Sequence, residues 1–178
     1  MSWSPKIQGN TGENMEHHWG SEAFKIDYKD KIVLDLGAGN GESTEYFLFK
    51  GAKKVIAVEG YFEFFKTLFK NVETILGEKV VPIQIMIKDP EDIESLILEY
   101  KPDIIKSDIE GAEVHMLKMK NEIWNLVQDY IIEFHVNYGF VNPKVMYEKC
   151  VETGFIAVVD SPTFNNVIHI TKGKKVNV

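Results

Sequence analysis

Two pairs of ionisable residues stand at spacings that could do chemistry. Asp108 and Glu110 are two positions apart, and so are Glu133 and His135. Side chains at i and i+2 of an extended chain point the same way. Each pair therefore presents its groups together if it closes a strand, and neighbouring strands would bring all four to one end of a sheet. A carboxylate or imidazole held there can take the proton of a hydroxyl as it becomes a nucleophile. Clustered carboxylates can also hold Mg²⁺ or Ca²⁺, which lowers the hydroxyl pKa; no ligand spacing is diagnostic, and no metal site is assigned. Structural roles compete with these. Asp108 and Glu110 could cap the helix that follows, His135 could be a satisfied structural histidine, and Glu133 could be an ion-pair partner of Lys106.

A second set of residues reads as a ligand cradle. The segment Asp35-Leu-Gly37-Ala38-Gly39-Asn-Gly41-Glu42 is rich enough in glycine for the backbone to approach a ligand closely. A dinucleotide fingerprint needs Gly-x-Gly-x-x-Gly. Here Glu42 occupies the third glycine position, and its carboxylate would repel a pyrophosphate, as would Asp35. Glu59, at the end of the next apolar run, can accept hydrogen bonds from both hydroxyls of a ribose. A nucleoside with an amino-acid tail instead of phosphates fits this set, and S-adenosylmethionine is such a molecule. The cofactor residues expected are Asp35, Gly37, Ala38, Gly39, Gly41, Glu59, Gly60, Asp89 and Asp108; those expected to act on the acceptor are Asp108, Glu110, Glu133 and His135.

The elements that must position these groups alternate. Apolar runs at 31–36, 54–59, 80–87, 103–107 and 130–136 read as strands buried on both faces. Helical spacing falls between them at 42–50, 61–76, 90–100 and 112–119, the last extended or followed by another through 128, with Gly51 and Gly77 as stops and Pro90 at a first turn. A helix at 143–153 and two strands at 155–159 and 167–171 close the pattern, the last two as an antiparallel hairpin at a sheet edge. Strand–helix alternation implies right-handed crossovers and a mostly parallel sheet covered on both faces, with ligands at the carboxyl ends of its strands.

The chain has 178 residues and a formal net charge of −7, and all 20 of its basic residues are lysine. One domain is expected, with 1–30 as a polar N-terminal segment that could serve as a lid and 31–178 as the ligand-binding domain. His17 and His18 fall in the first segment. The 137–140 and 160–166 segments could complete an acceptor pocket. The acidic balance and the lack of arginine argue against nucleic acid as partner, so a small-molecule acceptor is expected. A single cysteine, Cys150, no long apolar run and no apolar leader segment suggest a cytoplasmic protein without membrane contact. Nothing in the sequence sets the oligomeric state.

Three segments, 33–41, 54–59 and 105–113, resemble the FkbM-type methyltransferases, a branch of the class I enzymes that use S-adenosylmethionine; Ile105-Lys-Ser-Asp-Ile-Glu-Gly-Ala-Glu113 is the most specific. The resemblance spans roughly 31–137. It implies a seven-stranded sheet of order 3-2-1-4-5-7-6 with strand seven antiparallel. It also implies that Gly37, Gly39 and Gly41 approach the methionine part, that Glu59 holds the ribose, and that Asp89 lies near the adenine. The activity implied is O-methylation of a hydroxyl on a small or sugar-like acceptor. A cofactor-binding protein without transfer activity, an NAD-dependent oxidoreductase and a nucleic-acid methyltransferase are the alternatives, the last two disfavoured by Glu42 and by charge.

Overall fold

The computed structural model describes residues 6–7, 24–134, 143–159 and 167–172. Seven strands form one sheet: β1 (Ile32–Leu36), β2 (Lys54–Glu59), β3 (Val80–Gln84), β4 (Ile104–Ser107), β5 (Asp129–Glu133), β6 (Phe155–Val159) and β7 (Val167–Lys172). Their order is β3-β2-β1-β4-β5-β7-β6. Pairing is parallel from β3 to β5 and antiparallel at β5–β7 and β6–β7. This is the order and sense that the resemblance implies. β3 runs along one edge, and Pro82, which cannot donate to a ladder, is tolerated there.

Helices α1 (Glu42–Phe49), α2 (Phe62–Asn71), α3 (Pro90–Tyr100), α4 (Val114–Lys118), α5 (Asn121–Trp124) and α6 (Pro143–Thr153) cover the sheet. A π-helical turn, Val72–Leu76, prolongs α2. Of the two arrangements expected after β4, the structure has two short helices, separated where Met119 turns extended.

Strand periodicity divides the core in two. Leu34, Leu36, Ile56, Val58, Ile105 and Ile132 join Ile93, Ile97 and Trp124 on one face. Val33, Val55, Ala57, Ile104 and Ile131 join Phe47, Leu68, Phe24 and Tyr28 on the other. Phe24 and Tyr28 are buried against Tyr46 and Phe47, so part of the segment expected to stand outside the domain belongs to its core. The central strands carry the apolar runs because both faces are covered. The exceptions on the second face are Asp35 and Lys106, which face one another in the β1–β4 register. Among the described residues no helix is long and apolar enough to cross a membrane.

Candidate functional site

The carboxyl ends of β1, β2 and β4 open onto a cleft of about 680 Å³. Its walls include Gly37, Gly39, Glu59, Gly60, Tyr61 and Phe64 on the β1–β2 side, Ile85–Ile87 beyond β3, and Asp108, Ile109 and Glu110 beyond β4.

The β1–α1 turn is fixed from several directions. Gly37 and Ala38 donate their amides to the Val58 carbonyl. Gly37 has φ +76°, and a Cβ built on it would lie 1.8 Å from the Asp108 carbonyl oxygen. Only glycine permits that contact, so the cofactor turn and the β4 exit are pressed backbone to backbone. Gly60 is restricted differently, since a Cβ there would meet Met86 at 2.9 Å.

The turn's polar groups are filled by the chain's own carboxylates. Glu42 reaches back to accept from the Asn40 backbone N–H at 3.1 Å and from its side-chain amide at 3.2 Å. Asp35 Oδ2 accepts from Ser43 Oγ at 2.6 Å and Thr44 Oγ1 at 2.7 Å. Glu45 takes the Lys6 and Ile7 amides. A helix start normally attracts anions; here three carboxylates, Asp35, Glu42 and Glu45, already stand close to it, and their charge disfavours a pyrophosphate.

Glu59 is 6% exposed. Its Oε2 accepts from the Gly39 N–H at 2.9 Å and its Oε1 from the Tyr61 N–H at 2.7 Å. Each carboxylate oxygen can accept a further bond, so the group is aimed and still able to receive two ligand hydroxyls. With Gly37 and Gly39 bare beside it, these residues fit an adenosyl amino acid.

Beyond β4, Glu113 is fully buried. It accepts from the Ile109 N–H at 2.8 Å and the Gly111 N–H at 2.8 Å. It thereby holds the turn in which Glu110 takes φ +52°, an uncommon conformation for a residue with a side chain. Sequence reasoning quoted Glu113 within a motif but gave it no role. The Lys106 ammonium was likewise considered only as a partner for Glu133. It sits 3.4 Å from Asp35 and 3.5 Å from Asp108 and donates to the Gly37 carbonyl at 2.9 Å. Burial pulls this ammonium down, but Asp108, Asp35 and Glu133 outweigh burial and raise it above the ordinary lysine value.

Not every expected site residue lies on the cleft wall. Gly37, Gly39, Glu59, Gly60, Asp108 and Glu110 do. Asp35 is fully buried beneath the turn, Ala38 is packed into the core, and Gly41 caps α1; these three shape the cradle from behind. Asp89 departs furthest. It caps α3 in a reciprocal box with Asp92, because the strand before it ends at Gln84 and Ile85–Ile87 take the cleft wall instead. Glu133 is half-buried at the end of β5, facing Lys106. His135, His17, His18, 137–140 and 160–166 lie outside the described residues. Among the described residues no group of three or more His, Cys, Asp or Glu is arranged to hold a metal.

A sheet of order 3-2-1-4-5-7-6, with a glycine turn and a buried acid at the ends of β1 and β2, is the Rossmann-like fold of the class I methyltransferases that use S-adenosylmethionine. The chain matches the FtsJ-like methyltransferase family over residues 18–169, and it belongs to that family. The class expected from the sequence holds, while the FkbM-type branch is not the family matched.

Histone-arginine methyltransferase CARMER of Drosophila ananassae is 32% identical over 94 residues, 53% of this chain and 17% of that protein. The chain thus spans about a sixth of the length of the curated relatives it matches. TrmK of M. capricolum, solved with S-adenosylhomocysteine, superposes with a TM-score of 0.61 at 16% identity, covering 85% of this chain and 66% of that one. Fibrillarin of Methanococcus jannaschii, a pre-rRNA processing protein, superposes at 0.57 and 20% identity, covering 84% and 70%.

The expectation of a small-molecule acceptor and no nucleic acid is corrected by these matches. The fold of a pre-rRNA processing protein is reproduced over 84% of this chain. Net charge is a property of the whole surface, whereas an acceptor meets one cleft mouth.

Proposed function

We propose that this chain transfers the methyl group of S-adenosylmethionine to a hydroxyl of RNA, with Asp108 as the proton acceptor. The observation that carries the proposal is the Asp108 carboxylate, partly exposed on the wall of the cleft that Gly37, Gly39 and Glu59 also line. When bound, the cofactor supplies a methyl carbon activated by a sulfonium. The chain's own part is alignment and proton removal. Glu59 receives the ribose hydroxyls, and the glycine turn admits the amino-acid tail. Asp108 takes the acceptor's proton as the new O–C bond forms. Asp108 and Glu110 come from the motif that carries the FkbM-type resemblance, whose implied chemistry is also O-methylation.

The likeness to a fibrillarin that processes pre-rRNA supports RNA, and so do the aromatic side chains at and beside the cleft. Tyr61 and Phe64 are exposed on the cleft wall, and Phe62 and Phe69 are exposed on the same helix, with Lys66 and Lys70 beside them. Unpaired bases stack on such faces, and lysines meet the backbone. A second reading, a cationic side chain of a protein, is favoured by the acidic pair Asp108 and Glu110 and by the match to histone-arginine methyltransferases.

The experiment is transfer of tritiated methyl from S-adenosylmethionine to total RNA and, separately, to basic proteins, each with wild type and Asp108→Asn. Label on ribose of RNA that Asp108→Asn abolishes supports the proposal. Label on protein alone overturns it in favour of the second reading.

A further inference from the structure

We propose that Lys106 is a positioning residue for methyl transfer: its ammonium sets the Asp108 carboxylate relative to the cofactor turn and acts through that carboxylate. The inference rests on the assignment of Asp108 as proton acceptor.

β4 is buried throughout, and Lys106 is 4% exposed between Ile105 and Ser107. A strand in the middle of a sheet buries a lysine at a cost unless the charge is fully used. Here the ammonium donates to the Gly37 carbonyl and stands 3.4 Å from Asp35 Oδ1 and 3.5 Å from Asp108 Oδ2, so its charge is compensated on two sides. The register explains the convergence. Lys106 pairs with Asp35 on β1 and with Ile131 on β5, so Glu133, two residues beyond Ile131, faces the same side. Asp35 Oδ1 takes no hydrogen bond, and the Lys106 ammonium 3.4 Å away compensates its charge.

Among the described residues three acidic groups thus crowd one end of the sheet around the Lys106 ammonium. Without it, Asp108 would turn away from Asp35 and Glu133 by like-charge repulsion. With it, Oδ2 is drawn inward at a fixed distance from the Gly37 carbonyl, which belongs to the turn that receives the cofactor. One side chain therefore ties the proton acceptor to the methyl donor's cradle.

The test replaces Lys106 by Met together with Asp35→Asn, so that no lone carboxylate is left buried, and compares the pair with Asp35→Asn alone. Both are made in wild-type and Asp108→Asn backgrounds. Methyl transfer to total RNA and calorimetric binding of S-adenosylhomocysteine are followed. Lys106→Met is expected to lower kcat by about 30-fold or more while leaving the KM for S-adenosylmethionine and the Kd for S-adenosylhomocysteine within about threefold. It is expected to cost nothing further once Asp108 is Asn. A loss that persists in full in the Asp108→Asn background, or one seen only in cofactor affinity, assigns Lys106 to the scaffold and overturns the inference.

Should wild type label no RNA, the reading of the acceptor fails, and the same variants are compared as crystal structures with S-adenosylhomocysteine. An Asp108 carboxylate displaced by about 1 Å or more, a shift large enough to spoil alignment, sustains the inference. An unmoved carboxylate overturns it.

Discussion

Glu59 offers the sharpest quantitative test of the cofactor site. Its two oxygens accept one backbone amide each, Gly39 and Tyr61, and each retains capacity for a ligand hydroxyl. Hydrogen bonds to a charged group contribute about 1.5–3 kcal/mol each. The carboxylate is nearly fully buried, so no discount for solvent screening applies. Removing both ligand bonds in Glu59→Ala therefore costs roughly 3–6 kcal/mol, or two to four decades in Kd. Glu59→Gln keeps one acceptor oxygen but sets an NH₂ group against the Gly39 or the Tyr61 N–H. It is expected to weaken binding by about two decades. Calorimetric titration with S-adenosylhomocysteine measures both, with a thermal melt of each variant to establish that the protein is folded. A folded Glu59→Ala that binds within about threefold of wild type refutes the assignment of Glu59 to the ribose.

Other outcomes follow from the same geometry. Gly37→Ala pushes a methyl group into the Asp108 carbonyl and is expected to cost more than about 2 kcal/mol, read as a lowered Tm with loss of S-adenosylhomocysteine binding. Asp108→Asn is expected to lower kcat by about 10²–10⁴-fold with cofactor affinity within a few-fold; unchanged turnover removes Asp108 as the base. Glu94 is opposed by burial, yet its bonds to the Lys120 backbone and ammonium hold its carboxyl below the ordinary value of 4.5. A depressed carboxyl stabilises above its unfolded pKa and loses that contribution as pH falls through the folded one. Tm should thus decline below pH 4.5, and Lys120→Met should move the decline to higher pH in melts across an acid series. Burial pushes the Cys150 thiol up to about 11, so a disulfide reagent at pH 8 should label it only after denaturation.

The sheet was open to reading because its central strands are apolar on both faces: 54–59, 90–100, 143–153 and 155–159 have the bounds expected from the sequence, and β1, β4 and β7 lie within a residue of theirs. The order of the strands came from the resemblance, since periodicity alone does not order parallel strands. Gly37, Gly39 and Glu59 stand together on one cleft wall, a convergence that their places at the ends of two successive apolar runs made legible. Asp89 was misjudged because an acid before proline is equally the signature of a helix cap, and the capping partner Asp92 stood three positions on. Lys106 carried a signal, a lone cation inside an apolar strand two positions from Asp108, but its three partners come from β1, the β1–α1 turn and the β4 exit, which only the folded register brings together. Glu113 had no such signal, because it acts on backbone amides, and backbone amides leave no trace in residue types.

The contact between Gly37 and the Asp108 carbonyl also bears on how this protein can change. The donor pocket and the reactive carboxylate are parts of one rigid joint, so neither can be retuned by sliding it against the other. Variation in what is methylated must therefore come from the rim, where Tyr61, Phe64 and Met86 present side chains to solvent, while the joint itself passes unaltered from one specificity to the next. A library intended to redirect the enzyme should diversify that rim and leave residue 37 alone.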